Sequence, residues 1–279
     1  MRYLKGFFLL AFISVLTISC KSSSSSDDDD TGLDGLVWSD EFDGTTWSRD
    51  NWDPDLGASG WGNQELQDYT VSTNNLVISD GTMKIIAQKV SEGQSVGDYT
   101  STRLKSIPAF GPGHRMEIRA KMPDLVGPGL WPAIWMLGDG CRNGVSWPEC
   151  GEIDIMEYVS KVPNSFFATV HTGAFNHVDG TAQGSGDVSL PNIEEEFNVF
   201  GIEWTEDDIK FYVNDRNNVI FRFLKATNAT NDEWPFDNSH FFILNMAVGG
   251  NFGGPEVNDD NFPATFEIDY VRVFELEEE

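Results

Sequence analysis

The sequence predicts an all-β domain, an antiparallel β-sandwich of the jelly-roll type. Three observations carry that expectation. Gly, Pro, Asn and Asp turn signals recur roughly every 8 to 14 residues beyond residue 35. No stretch sustains the 3.6-residue apolar period of a helix. Between the turns lie short segments rich in β-branched and aromatic residues, many of which alternate apolar and polar positions. With 279 residues and 40% hydrophobic content, the chain has ample material for one large core. Neither an internal repeat nor a mid-chain linker interrupts residues 35–279, which are expected to form one domain.

The elements follow in order. Residues 74–89, NNLVISDGTMKIIAQK, read as a hairpin turning at Asp80-Gly81. In residues 114–123, HRMEIRAKMP, Met116, Ile118 and Ala120 share one face, and Arg115, Glu117, Arg119 and Lys121 share the other. Residues 197–224 give three strands joined by TEDD and NDRNN. The segments FFILNMAVGG and FEIDYVRVFE supply two more, and the chain ends in a solvated acidic stretch. On the last strand, plain alternation puts Asp269 on the face of Val271 and Val273, where it needs a partner; a salt bridge satisfies it.

The N-terminal residues have a different composition. Arg2 and Lys5 precede an apolar run from Phe7 to Ile18, which is too short to span a bilayer comfortably and has the layout of a signal peptide. Cys20 directly after Ser19 resembles a bacterial lipoprotein cleavage site, with residues 1–19 removed and Cys20 lipidated. Leu16 lies one place earlier than that pattern has it, so an ordinary signal peptide is the alternative. The next residues, KSSSSSDDDD, lack apolar side chains, and residues 20–34 are expected to be a disordered acidic tether. The expected location is therefore the outer membrane, with the domain exposed at the cell surface or, alternatively, in the periplasm. Contact with the membrane would be through the lipid alone.

Charge narrows the partners. The formal net charge is −27, with 45 Asp and Glu against 18 Lys and Arg. Such a surface repels nucleic acid and anionic membranes, and it disfavours a sulfated polysaccharide. Nothing indicates an oligomer, so a monomer is expected. Cys141 and Cys150 flank a loop short enough for a disulfide, and a pair of free buried thiols is the alternative. The four His are scattered without zinc-site spacing.

The chemistry concentrates in residues 149–160, ECGEIDIMEYVS. A helix here would lack an N-cap and would spread Glu152 and Glu157 about 140° apart, so a strand is expected. On a regular strand Glu152 and Asp154 share a face, while Glu157 would join Ile153 and Ile155 in the core as an uncompensated charge. A β-bulge in which Ile155 and Met156 occupy one pleat position brings Glu157 back to the acidic face. The carboxyl groups of Glu152 and Glu157 would then stand about 5 to 6 Å apart, the separation of a retaining glycosidase. Three acids so close cannot all ionise freely, so at least one pKa should rise. A solvated acidic face and a carboxylate cage for Ca²⁺ are the other readings of the same residues. Ca²⁺ more often takes its ligands from a loop.

Several segments around this motif bear a family resemblance: WSDEFDG at 38–44, GWGNQELQDYT at 60–70, YTSTRL at 99–104, GPGLWPAIWMLGDG at 127–140, SWPECGEIDIME at 146–157 and EIDYVRVFE at 267–275. In this order they resemble the laminarinase branch of family 16 of the glycoside hydrolases. The resemblance implies a concanavalin A-like jelly roll with a concave cleft that hydrolyses internal β-1,3 linkages of glucans with retention, mixed β-1,3/1,4-glucan being a further substrate. It implies Glu152 as nucleophile, Glu157 as general acid/base and Asp154 as the assisting acid. Trp131, Trp135 and Trp147 match an aromatic cleft wall. Their rings would lie against sugar C–H faces, with the indole N–H groups reaching sugar hydroxyls. Asn63 and Arg103 match sugar-binding positions, and His171 a cleft histidine that is otherwise a core residue. Asn245 is a polar residue inside an apolar strand and is expected, on that ground alone, to face the cleft. No cofactor is implied for catalysis. A structural Ca²⁺ is implied at Asp269, with backbone oxygens near Glu41 and Gly81. AFGPGHRMEIRAKMP departs from the Tyr-Gly pair of many relatives, which leaves subsite preference open. The alternatives are a marine galactan hydrolase of the agarase or carrageenase type, and a non-catalytic glycan-binding lipoprotein.

Overall fold

Two stacked sheets, antiparallel apart from the parallel pair Gln67–Tyr69 and Tyr99–Ser101, account for nearly all regular structure in the computed structural model, which describes Met1, residues 33–124 and residues 127–276. The signal segment beyond Met1, the lipidation position Cys20 and most of the tether 20–34 lie outside the described residues. Strand order in one sheet is Val219–Leu224, Asp208–Val213, Asn198–Trp204, His114–Lys121, Ala264–Glu275, Thr82–Lys89, Tyr99–Ser101 and Gln67–Tyr69. In the other it is Gln183–Gly184, Ser165–His171, Glu152–Glu157, Leu130–Gly138, His240–Val248, Arg103–Ser106 and Trp52–Asp55. Helix among the described residues is limited to Gly250–Gly253 and two 3₁₀ turns. This is the expected jelly-roll sandwich.

Alternation fills the space between the sheets. Met116, Ile118 and Ala120 from one sheet and Ile134, Met136, Phe242 and Leu244 from the other are fully buried. The hairpin turns at Asp80 and Gly81, both at positive φ (59° and 76°), as a two-residue type I′ turn requires. The last strand differs from expectation. Its register slips between Ile268 and Tyr270 opposite His114–Lys121, so Asp269 is the extra residue of a bulge. Asp269 therefore lies outside, away from buried Val271 and Val273, and forms an ion pair with Arg119. Plain alternation misplaced it because one inserted residue reverses the facing of everything before it.

The same device shapes Glu152–Glu157. Opposite Leu130–Gly138, Asp154 pairs with Trp135 and Met156 with Ile134, which makes Ile155 the extra residue. Opposite Ser165–His171 the register slips in the same interval. Ile155 and Met156 are both buried in the core, at 1% and 0% exposure, and Glu157 returns to the face of Glu152 and Asp154. Deleting Met156 would restore regular alternation and keep three acids on one face. It would also remove a fully buried side chain and shift the last acid by one rung. The expected result is a folded sandwich whose stability is lower by about 2–5 kcal/mol, the range for emptying a buried site of this size. Circular dichroism and denaturant titration measure it; an unchanged midpoint would mean that the bulge bears no packing role.

Candidate active site

The outer face of the carboxylate-bearing sheet aligns side chains in cross-strand rows. One row contains Phe167, Glu157, Ala133, Asn245, Arg103 and Asp55. The next contains Thr169, Asp154, Trp135, Ile243, Lys105 and Asp53. Glu152 stands between His171 and Leu137. Small Ala133 beside Glu157, and Ala247 beside Trp131, keep the floor low between taller walls. The result is a cleft of about 400 Å³ lined by all three acids, by Trp131, Trp135 and Trp147, and by Asn63, Arg103 and Asn245.

The indole N–H groups are committed differently from expectation. Trp147 Nε1 donates to Glu152 Oε2 at 2.8 Å, and Trp131 Nε1 donates to Glu157 Oε1 at 3.1 Å. Trp135 Nε1 donates to Asn245 Oδ1 at 2.7 Å. A half-buried N–H takes the best acceptor within reach, and a carboxylate or a fixed amide oxygen outcompetes water. The rings remain available to the cleft while the N–H groups of Trp131 and Trp147 position the two glutamates.

Local geometry explains how Trp147 arrives there. Cys141 and Cys150 are joined in a disulfide, with Cα atoms 5.4 Å apart, and this closes the loop that carries Trp147. Gly151, at φ 82°, links the loop to the strand. A Cβ there would sit 2.8 Å from Pro235 and 2.9 Å from His240 Nε2, so only glycine permits the turn.

Arg103 is held between two rings, its guanidinium carbon 5.0 Å from the Trp61 centroid and 4.7 Å from that of Trp135. Its Nε donates to Asp55 Oδ2 at 3.0 Å. Behind Trp135, Asn245 Nδ2 donates to the Tyr69 hydroxyl at 3.0 Å, and that hydroxyl donates to Glu65 Oε2 at 3.3 Å. Asn63, from the same loop as Trp61, reaches the cleft edge. Sequence reasoning did not single out Trp61, Glu65 or His177, all of which line the cleft. Trp61 and Glu65 lay inside the GWGNQELQ segment already noted, so the signal was adjacent; exposed His177 carried none.

The three acids perturb one another. Burial raises Glu152 to about 8 from an ordinary 4.5, and the charge of Asp154 adds to the rise. Asp154, 3% exposed, is also raised by burial. Glu157 is pushed well above the ordinary range by burial and then by the charges of Asp154 and Glu152. Three opposing influences act on Glu152, the nearby His171, the N–H of Trp147 and the more distant charge of Arg103. Glu157 is thus the natural proton holder and Glu152 the better candidate to ionise, an acid and a nucleophile set apart by environment.

Two places bear on metal binding. On the opposite sheet, pairing of the last strand with Leu36–Asp40 ends at Val271, and pairing with Thr82–Lys89 ends at Ile268. Glu41 and Gly81 directly follow or precede the paired residues Asp40 and Thr82, at the two ends of the stretch of the last strand that contains Asp269 and Tyr270. The carboxylates of Glu41 and Asp269 are engaged by Arg272 and Arg119. The second place is in the cleft, where donor atoms of Glu152, Asp154 and His171 lie within 4.8 Å of one another. His171 itself is buried beside Glu152 on the neighbouring strand, its Nε2 3.3 Å from Asp154 Oδ2.

Residues 63–272 match the profile of the glycosyl hydrolases family 16. The chain belongs to that family. It is 43% identical over 250 residues to a beta-glucanase of Rhodothermus marinus, covering 86% of this chain and 84% of the relative. The crystal structure of the laminarinase from Rhodothermus marinus superposes with a TM-score of 0.80 at 42% identity, over 87% of this chain and 98% of that one. A laminarinase from Flavobacterium sp. UMI-01 gives 0.76 at 41% identity, over 86% and 100%. This family 16 enzyme is a glycoside hydrolase, as the motif resemblance implied.

Its acid cluster has a measurable consequence for stability. Between pH 4.5 and about 8 the folded protein keeps the Glu152 proton that the unfolded chain releases, so stability falls as pH rises through that window. Glu152→Gln carries no such penalty. Its melting temperature is expected to gain on wild type between pH 5 and pH 8, by an amount on the order of a few kcal/mol in stability. A pH-independent difference would refute the raised pKa.

Proposed function

We propose that this enzyme is a retaining endo-β-1,3-glucanase of the laminarinase type. The observation that carries the reading is the placement of Glu152 and Glu157 on one face of a single strand, each fixed by an indole N–H. Glu157 donates its proton to the glycosidic oxygen while a Glu152 carboxylate oxygen attacks the anomeric carbon, and a covalent glycosyl-enzyme forms as the leaving sugar departs. Glu157 then takes a proton from water, whose oxygen displaces Glu152 from the sugar. Two inversions give net retention. Asp154, buried between them, keeps the charge of the cluster responsive to each step. Trp131, Trp135 and Trp61 offer apolar faces to pyranose rings, and Arg103 and Asn63 offer donors to hydroxyls. The names of the Rhodothermus and Flavobacterium relatives support laminarin as substrate, and the hydrolysis requires carboxylates and water with no catalytic cofactor.

The proposal includes a structural Ca²⁺ on the opposite sheet, held by oxygens of Asp269, Glu41 and Gly81 and tying the ends of three strands together. Its support is the gap in pairing at Asp269 and Tyr270.

Wild-type protein should release reducing ends from laminarin with fast loss of viscosity, and Glu152→Gln should lose at least a thousandfold in kcat with its fold intact. Proton NMR of the first product should show the β-anomer. Binding without any release of ends would sink the enzymatic reading, and an initial α-anomer would sink retention. For the ion, EGTA should lower the unfolding midpoint by several degrees and added CaCl₂ should restore it; an unmoved midpoint counts against Ca²⁺.

A further inference from the structure

The acid cluster has a second chemical capacity. His171 Nε2 lies 3.3 Å from Asp154 Oδ2 and 3.7 Å from Glu152 Oε1. Two donors each about 2.1 Å from one ion stand about 3.4 Å apart at the tetrahedral angle, so these separations are those of ligands around a single small cation. Asp154 Oδ2 is the atom that singles out the site. Its residue is 3% exposed, and the oxygen has no hydrogen-bond partner although the His171 ring faces it. A buried oxygen with no donor is costly, and neither glycosidic step above uses it.

We propose that Glu152, Asp154 and His171 bind one divalent transition ion of the Zn²⁺ type, with its fourth position open to the cleft, and that the bound ion reversibly blocks hydrolysis. The donor set, one imidazole nitrogen and two carboxylate oxygens, selects such an ion over Ca²⁺, which takes six to eight oxygens. Around His171 stand Trp147, with its ring centroid 5.9 Å away, and His177 at 5.1 Å. The exposed His177 is placed to supply a further nitrogen from the loop above. Thiols do not compete in the domain, since Cys141 and Cys150 are bonded to each other. A cation also relieves the mutual repulsion of the three carboxylates. Inhibition follows because the Glu152 oxygen that attacks the sugar would be coordinated. That consequence rests on the role proposed for Glu152, whereas the binding does not.

The test separates the two. Calorimetric titration of the full chain with ZnCl₂, in buffer containing excess CaCl₂ to saturate any calcium site, should show one saturable site. His171→Gln and Asp154→Asn should each weaken it at least tenfold. In rate assays on laminarin, ZnCl₂ should raise the apparent KM more than it lowers kcat, MgCl₂ should have no effect, and EDTA should restore the rate. No saturable binding, or equal binding by both variants, would overturn the site. Binding that leaves hydrolysis untouched would overturn the block and count against Glu152 as nucleophile. Should either variant fail to fold, Co²⁺ added to wild type gives an independent reading. Intense visible bands of four-coordinate cobalt, abolished by a β-1,3-glucan oligosaccharide, support the site; only weak six-coordinate bands overturn it.

Discussion

Everything in the cleft depends on two neighbouring side chains, Ile155 and Met156, pointing the same way. A β-strand does not permit this without a bulge, and the core rewards it by burying both residues. The benefit of burying two apolar side chains maintains an arrangement that electrostatics opposes, three carboxylates on one face beyond them. Catalytic capacity and fold stability are thus set against each other across a single strand, a few ångströms from core to cleft.

The surrounding side chains answer that conflict with donors rather than with cations. Trp131 and Trp147 each give an N–H to a carboxylate, and Arg103 stays on the far side of Trp135, paired with Asp55. A cation in direct contact would lower the acid pKa values and take the proton holder out of action near neutral pH. Neutral N–H groups orient the carboxylates at a smaller cost to their raised pKa values. The net charge of −27 across the chain acts in the same direction.

Much of this was legible in the sequence because it follows from period-two alternation and its violation. The bulge at Ile155 and Met156 could be inferred, since a regular strand would have buried Glu157 among isoleucines. The equivalent bulge at Asp269 was not, because an Asp on the face of two valines is satisfied equally well by a salt bridge, which Arg119 supplies in any case. The fold class was similarly clear from turn spacing. What alternation does not encode is contact across the cleft. The Arg103 stack joins residues from different strands and loops, and Asn245 reaches Glu65 only through Tyr69. Such pairings arise from sheet order, which local pattern leaves undetermined. His177 lies on an exposed loop without any local signature, and only the folded chain brings it near His171.

The Trp61–Arg103–Trp135 stack has a consequence for how a long, flexible polymer is captured. An arginine loses up to about 2 kcal/mol of rotamer freedom when it is fixed. Here the loss is incurred during folding, since two rings and Asp55 hold the guanidinium before any sugar arrives. The arriving chain must give up its own torsional freedom, but it finds a wall with little left to lose. Affinity then reflects the stiffness of the protein as much as the number of its contacts, and loosening Asp55 would weaken capture without removing a single group that touches the glycan.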